Sequence, residues 1–278
     1  MSKKFSQYSV LMSVYYKEKA EFFIQAVESM LKQTVPPDDF VIVCDGPLTD
    51  ELDKAIVNIE SLHPSLFQIV RLKKNRGLAN ALNIGLKYCK NELVARMDSD
   101  DISLPYRMEK QLEVIERNPQ VDVVGGQIAE FETDPSSIKA RRIVPCRYEE
   151  IQKRVKTRNP MNHMTVIFKK SVVINVGGYP DINLFEDYAL WATLISQNII
   201  FMNVDYTCCY MRTGEGMYRR RGGHKYIDGI LKIEKLLKEK ELISSWEYFK
   251  NIAIRYIGAV LVTSGTREKL YKLFLRKM

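Results

Sequence analysis

Cysteine, histidine and long apolar runs are scarce in this 278-residue sequence, and each scarcity removes a class of function. The five cysteines (Cys44, Cys89, Cys146, Cys208 and Cys209) are odd in number and form no C-x-x-C pair. Cys208 and Cys209 are adjacent and would bridge only with strain, so reduced structural thiols are expected. The three histidines, His63, His163 and His224, lie far apart with no H-E-x-x-H spacing, which argues against a zinc site. A membrane-spanning helix needs about 20 apolar residues. The best run here, Tyr256 to Val262, is short and follows Arg255, so no transmembrane helix is expected. The amino end, Met1-Ser-Lys-Lys-Phe, has no apolar stretch before Gln7 and does not read as a secretory signal, which assigns the chain to the cytoplasm.

What is present is an ordinary globular composition, 46% hydrophobic and 27% charged, which excludes disorder. The net charge is +8, and it is unevenly spread. From Met217 to the end there are fifteen Lys or Arg against six Asp or Glu, so the first 216 residues sum to minus one. A basic tail of this kind suggests an anionic partner: nucleic acid, an acidic membrane surface or a phosphorylated substrate.

Periodicity divides the chain into alternating strands and helices. Strands are expected from Tyr8, over Phe40 to Cys44, Phe67 to Leu72, Glu92 to Met97, Asp122 to Phe131 and His163 to Phe168. Helices are expected over Ala20 to Lys32, Asp50 to Leu62, Leu78 to Tyr88, Pro105 to Arg117 and Glu186 to Ile195, with Thr133 to Arg142 irregular. Continuous β-branched runs such as Phe40-Val-Ile-Val-Cys44 suit parallel strands buried on both faces. The order predicts an α/β fold with a mostly parallel, Rossmann-like sheet and ligands at the carboxyl ends of its strands. After Gly214 a basic loop, Arg219-Arg220-Arg221-Gly222-Gly223, leads to helical patterns over Tyr226 to Lys240, Trp246 to Val262 and Thr266 to Lys277. We therefore place residues 1–215 in one domain and 216–278 in a basic helical extension.

Five features could carry chemistry. Asp98-Ser99-Asp100-Asp101 closes a strand, and two carboxylates one residue apart can share a divalent cation; an Asp-rich surface turn with Asp101 capping the next helix has the same sequence. Asp45 ends another strand, where it could meet a ribose or a base, or simply form the turn before Gly46-Pro47. Asn75-Arg76-Gly77 is a strand-to-helix turn offering backbone donors and an arginine. Glu186-Asp187 opens a helix, as a general base or as acids at a positive helix end. Arg219 to Arg221 suit a diphosphate, or a solvated loop.

Taken in order, these pieces resemble a known family. Ser9-Val-Leu-Met-Ser-Val-Tyr-Tyr, Val41-Ile-Val-Cys-Asp-Gly-Pro, Asn75-Arg-Gly-Leu-Ala-Asn-Ala-Leu-Asn-Ile-Gly, Ala95-Arg-Met-Asp-Ser-Asp-Asp, Gly177-Gly-Tyr and Glu186-Asp-Tyr-Ala-Leu-Trp are similar to a family 2 glycosyltransferase of GT-A fold, over residues 8 to 215. The resemblance implies an inverting enzyme of bacterial surface polysaccharide assembly that takes a nucleotide-sugar, by family habit a UDP-sugar, with Mn2+ or Mg2+. It implies Asp100 and Asp98 as metal ligands, Asp98 also toward the ribose and diphosphate, Asp45 and Arg76 at the nucleoside, and Asp187 as catalytic base. Glu186 and His163 are placed on the acceptor side, and Arg219 and Arg220 on the donor diphosphate.

Ser13-Val14-Tyr15-Tyr16-Lys17-Glu18 departs from the commoner proline, threonine, tyrosine, asparagine ending of the first strand. With Tyr210-Met-Arg-Thr-Gly-Glu-Gly-Met and the arginine run, it looks most like the amylovoran-type and capsular transferases. The absence of Q-x-x-R-W disfavours a processive synthase. In the tail, Lys269, Lys272 and Arg276 line one face of the expected helix and Leu270, Leu273 and Phe274 another, which suits peripheral binding to anionic lipid at the inner face of the cell membrane. Packing on the catalytic domain is the alternative. A lipid partner fits an acceptor saccharide carried on polyprenyl diphosphate, as the resemblance implies, and no nucleic-acid-binding motif accompanies the charge. Two rivals remain: a nucleotidyltransferase, disfavoured because Tyr15-Tyr-Lys-Glu-Lys lacks a glycine-rich phosphate loop, and a non-catalytic nucleotide- or membrane-binding assembly subunit, disfavoured by the intact Asp98, Asp100 and Asp187.

Overall fold

The computed structural model describes residues 5–214 and 224–260. Its first half alternates as the periodicity predicts: β1 (Tyr8–Val14), α1 (Ala20–Leu31), β2 (Asp39–Cys44), α2 (Asp50–Leu62), β3 (Phe67–Arg71), α3 (Leu78–Leu86) and β4 (Leu93–Asp98). Local chemistry sets the boundaries. Thr49 caps α2, its Oγ1 accepting from Leu52 N at 3.3 Å, and Asp50, Glu51 and Asp53 fill the first turn, where the helix dipole favours acids.

The second half is β5 (Ile102–Ser103), α4 (Arg107–Arg117), β6 (Val121–Phe131), β7 (Ala140–Arg142), α5 (Tyr148–Val155), a 3-10 turn at His163–Thr165, β8 (Ile167–Lys169), α6 (Lys170–Asn175), α7 (Glu186–Ser196), β9 (Ile200–Arg212), α8 (His224–Glu239) and α9 (Ser245–Val260). All nine strands of the described residues join one sheet, ordered β3-β2-β1-β4-β8-β6-β9-β5, with β7 paired to β6. Four pairings are parallel (β1 with β2 and β4, β2 with β3, β6 with β9), and the shorter antiparallel ones involve β5, β7 and β8.

Strand alternation divides the core in two. Leu11, Val41 and Val43 face a layer with Leu82, Tyr188 and Trp191, while Val10, Met12, Phe40 and Ile42 face another with Phe23, Val27, Ile56 and Leu112. A side chain period of two sends successive apolar residues to opposite faces, so a continuous apolar strand serves both layers. Ile230, Ile233 and Leu237 of α8, with Ile243, belong to the same buried cluster as Tyr188 and Trp191.

Several elements differ from expectation. The strand expected over His163 to Phe168 is a 3-10 turn followed by a three-residue strand, because Thr165 Oγ1 donates to Asn162 O at 2.7 Å and turns the backbone. The segment expected to be irregular ends in β7. The long β9 was not foreseen: Asn203, Asp205 and Thr207 interrupt its apolar pattern, and its register against β6 shifts at Gly126/Gln127 and Gln127/Ile128. The arginine loop 219–221 and the helix expected over 266–277 lie outside the described residues.

Candidate active site

Strand register brings the acidic turns to one edge. Val14 lies opposite Cys44 and Ser13 opposite Asp98, so the ends of β2 and β4 flank the end of β1. Asp45 N donates to Val14 O at 2.8 Å. Its carboxylate accepts from Arg76 N at 2.7 Å and Gly77 N at 3.0 Å, and its carbonyl accepts from Asn75 Nδ2 at 3.1 Å. Two turns separate in sequence are thus one structure, with Asn75 and Arg76 exposed. Gly46 permits the approach: its φ is +92°, and a Cβ there would sit 2.6 Å from Asn75 N.

The acid cluster at the end of β4 is tight. Asp98, Asp100 and Asp101 each bring a carboxylate oxygen within 4.8 Å of the others. Asp101 does not cap the following helix, which starts only at Arg107; it is buried and accepts from Arg212 N at 2.8 Å. The Arg212 side chain donates from Nε to Asp100 O at 3.0 Å and from Nη2 to Gln25 Oε1 at 2.7 Å, with its guanidinium 3.8 Å from the Phe22 ring and 4.6 Å from Phe131. β9 therefore clamps the acidic loop. Glu18, in the loop after β1, accepts from Ser99 Oγ at 3.0 Å. Burial, Asp98 and Glu18 together push the Asp100 carboxyl up to about 7, and burial with the neighbouring Asp100 and Asp98 raises Asp101 well above its ordinary value. Crowded carboxylates that resist ionisation are what a divalent cation relieves, and the donors are hard oxygens. The residues fit Mg2+ or Mn2+; with Asp101 committed to β9, Asp98 and Asp100 could hold it.

A second carboxylate pair opens α7. Asp187 Oδ2 accepts from Asn159 Nδ2 at 2.5 Å and Oδ1 accepts from Tyr188 N at 2.7 Å, which fixes the plane of the carboxylate. Burial raises the Asp187 carboxyl, against these two hydrogen bonds, and burial with the Asp187 charge pushes Glu186 up to about 7. Leu184, just before the pair, has φ +66°, a left-handed conformation costly for leucine.

Arg96 is within electrostatic reach of both acid groups. It is 2% exposed, one Nη donates to Asp98, and its Nε and other Nη have no hydrogen-bond partner among the described residues. Its charge acts on Asp100, Asp101, Glu186 and Asp187 alike, lowering each carboxyl. One buried cation therefore serves the cluster suited to a metal and the pair suited to proton transfer.

The sequence model for glycosyl transferase family 2 matches residues 9–174. The chain belongs to glycosyltransferase family 2. This glycosyltransferase is 35% identical, over all of its length and 99% of the relative's, to the UDP-Gal:alpha-D-GlcNAc-diphosphoundecaprenol beta-1,3-galactosyltransferase of Escherichia coli. It is 37% identical to the amylovoran biosynthesis glycosyltransferase AmsE of Erwinia amylovora, over 87% of this chain and 91% of that one. Among solved structures it is similar to the mannosyltransferase PcManGT of Pyrobaculum calidifontis in complex with GDP-Man and Mn2+, at a TM-score of 0.64 and 16% identity over 98% of this chain and 79% of that one. That likeness gives the fold, GT-A, with C-terminal helices added.

Of the residues singled out in the glycosyltransferase sequence, Asp45 and Arg76 share one turn, Asp98 and Asp100 share another, and Glu186 and Asp187 feel the charge of Arg96, which pairs with Asp98. His163 packs against Tyr179 and Trp191. It is buried, its Nε2 is 3.1 Å from the Tyr179 hydroxyl and its ring is 6.0 Å from Trp191; burial, then Arg96, holds it well below its ordinary value and so neutral. Tyr179 N in turn donates to Asn83 Oδ1 at 2.7 Å, where Gly178 at φ +83° leaves room for the amide. This places His163 in a chain of support from α3. Arg219 and Arg220 lie outside the described residues. The sequence reading missed Glu18, Arg96 and Arg212. Arg96 and Arg212 stood inside quoted motifs, but nothing in one dimension distinguishes a buried arginine from a surface one.

Proposed function

We propose that this enzyme transfers one sugar from a UDP-sugar to a saccharide carried on polyprenyl diphosphate, with inversion, during assembly of a bacterial surface polysaccharide at the inner face of the cell membrane. The observation that carries the reading is that two acid groups, one suited to a metal and a diphosphate, the other to a hydroxyl proton, lie within electrostatic reach of one buried arginine, Arg96. The acceptor class is supported by the 35% identical relative, whose name specifies a diphosphoundecaprenol-linked sugar, and the UDP preference by the same name. Residues 1–215 are the catalytic part and 216–278 a basic extension that keeps the enzyme peripheral to the membrane.

In this reading Asp45 and Arg76 bind the nucleoside, and Asp98 and Asp100 would hold Mn2+ or Mg2+. The bound ion supplies charge to the departing diphosphate. Arg219 and Arg220 stay with the donor diphosphate. Asp187, held by Asn159 and the Tyr188 amide, accepts the acceptor hydroxyl proton as that oxygen attacks the anomeric carbon, and the bond to the diphosphate breaks on the opposite side. Its raised carboxyl is a stronger base than an exposed aspartate. Glu186 borders the acceptor, and His163 supports that side.

Thermal unfolding with UDP, GDP, dTDP and CMP, each with and without Mn2+ or Mg2+, tests the donor half, since a ligand of the native state raises the midpoint. A metal-dependent rise with UDP, absent in Asp98→Ala/Asp100→Ala, is expected. Asp187→Asn should keep that rise while losing about 10²- to 10⁴-fold in turnover, the usual worth of a general base. A metal-independent rise, or full turnover in Asp187→Asn, would overturn the assignment.

A further inference from the structure

α9 carries its amphipathicity inside out. On its inner side, Asn251 is 7% exposed and donates from Nδ2 to Lys156 O at 2.8 Å and Glu234 Oε2 at 3.0 Å. One turn on, the Arg255 guanidinium lies 2.8 Å from the buried Glu234 carboxylate and donates to Thr157 O at 2.7 Å. The outer side holds Trp246 at 75% exposure, Phe249 at 64%, Ile254 at 59% and Tyr256 at 49%. Trp246, Phe249, Ala253 and Tyr256 recur at helical spacing, so they form one stripe, with Ile254 and Lys250 beside it. A helix on a soluble surface normally turns its apolar stripe to the core and its polar one to water. Here a buried polar network anchors the helix, and the apolar stripe is presented outward.

We propose that this stripe docks on an anionic membrane surface and that α9 seats the glycosyltransferase there by its acceptor end. The charge on the page selects lipid over the other candidates. From Met217 onward the chain has a surplus of nine positive charges. Lys250 borders the stripe, and Lys238 of α8 is exposed with its ammonium 5.2 Å from the Tyr248 ring at the start of α9, while the exposed Lys232 and Lys235 are paired with Asp228 and Glu239. A second copy would set the same positive surplus against itself. The chain's own end, with Arg267, Lys269, Lys272, Arg276 and Lys277 against Glu268, would do likewise. Anionic headgroups complement the charge, and Trp and Tyr suit the boundary between headgroup and acyl chain.

The position of α9 fits a lipid-borne acceptor. Arg255 donates to the Tyr188 hydroxyl at 3.3 Å, next to Asp187, and α9 holds Lys156 O and Thr157 O at the start of the loop that carries Asn159, the donor to Asp187. The docking inference rests on the lipid-linked acceptor reading for its purpose and on the helix itself for its substance.

The two tryptophans make the test direct, since Trp191 is buried and Trp246 exposed. Full-length protein is mixed with vesicles of phosphatidylcholine alone or in equal parts with phosphatidylglycerol, and both tryptophan emission and co-sedimentation are followed. The expected result is a blue shift and pelleting with the anionic vesicles only. In Phe249→Glu/Ile254→Glu both are weakened about tenfold or more, because binding follows the apolar area inserted. These side chains are exposed, so the variant should keep its thermal midpoint and its metal-dependent rise with UDP. Vesicle binding equal to wild type in the variant, which would assign attraction to the basic tail alone, overturns the inference. So does a blue shift without lipid accompanied by a dimer mass in light scattering. A UDP rise that fails while vesicle binding behaves as expected counts against the donor assignment and leaves the docking surface standing.

Discussion

Replacing Arg96 by methionine keeps much of the side chain's bulk and removes the charge that both acid groups feel. Taking one partner from a buried ion pair costs about 3–5 kcal/mol, because the other is left charged and unpaired. Here the remaining partner, Asp98, has a side chain 31% exposed and reaches water, which lowers the figure to about 2–3 kcal/mol. At about 2–4 °C per kcal/mol for a chain of this size, Tm should fall by about 5–10 °C. The loss should depend on pH with a definite sign. Arg96 lowers the carboxyls of Asp100, Asp101, Glu186 and Asp187, so its removal raises them further above their unfolded values. Below the wild-type folded values both proteins hold these protons and bear the same penalty, so the variant's extra deficit from Asp100 and Glu186 opens at about pH 7 and grows toward pH 8. The acid limb of kcat/KM, set by Asp187, should move to higher pH in the same variant. Differential scanning fluorimetry at pH 5, 6.5 and 8, with a pH–rate profile, reads both. A deficit independent of pH together with an unmoved acid limb would refute the account of Arg96 as the shared counter-charge.

Two further substitutions follow from the same geometry. Burial and Asp187 push Glu186 from its ordinary 4.5 up to about 7, so the folded state holds an extra proton between those values and wild-type stability declines as pH rises through them. Glu186→Gln lacks the penalty: its Tm advantage should be absent below pH 4.5, grow to about pH 7 and then level off at about 3–6 °C, the equivalent of about 1–2 kcal/mol after allowing for solvent access. An advantage equal at pH 4.5 and 8 would contradict the cause assigned. Arg212→Ala removes the side chain clamp on Asp100 O and the stacking on Phe22 and Phe131, so Mn2+ titration in the presence of UDP should show affinity weakened about tenfold, roughly 1.4 kcal/mol. Unchanged metal affinity would show that the backbone bond to Asp101 holds the loop alone.

How much of this was legible in one dimension differs by element. The run Phe40-Val-Ile-Val-Cys44 and the helix Asp50–Leu62 could be read directly, because burial on both faces demands continuous apolar residues and a helix buried on one face demands apolar residues at helical spacing. The acidic turns at Asp45 and Asp98 followed, since strand ends are where a β-α alternation leaves polar groups. Asp187 and Glu186 could be named from their motif. Their raised carboxyls could not, because these depend on burial and on Arg96, which approaches through space.

The amino-acid sequence by itself determined the βα order of the first half, the family and the candidate acids, since periodicity, turn chemistry and ordered motifs are properties of neighbours along the chain. Only the tertiary structure decided that Asp101 serves β9 and not a helix cap, that His163 is buried against Tyr179 and Trp191, that Arg212 clamps a loop over a hundred residues away, and that α9 turns its apolar stripe outward. Each of these rests on a contact between distant segments, and such contacts are set by strand register and helix packing, which no local pattern encodes.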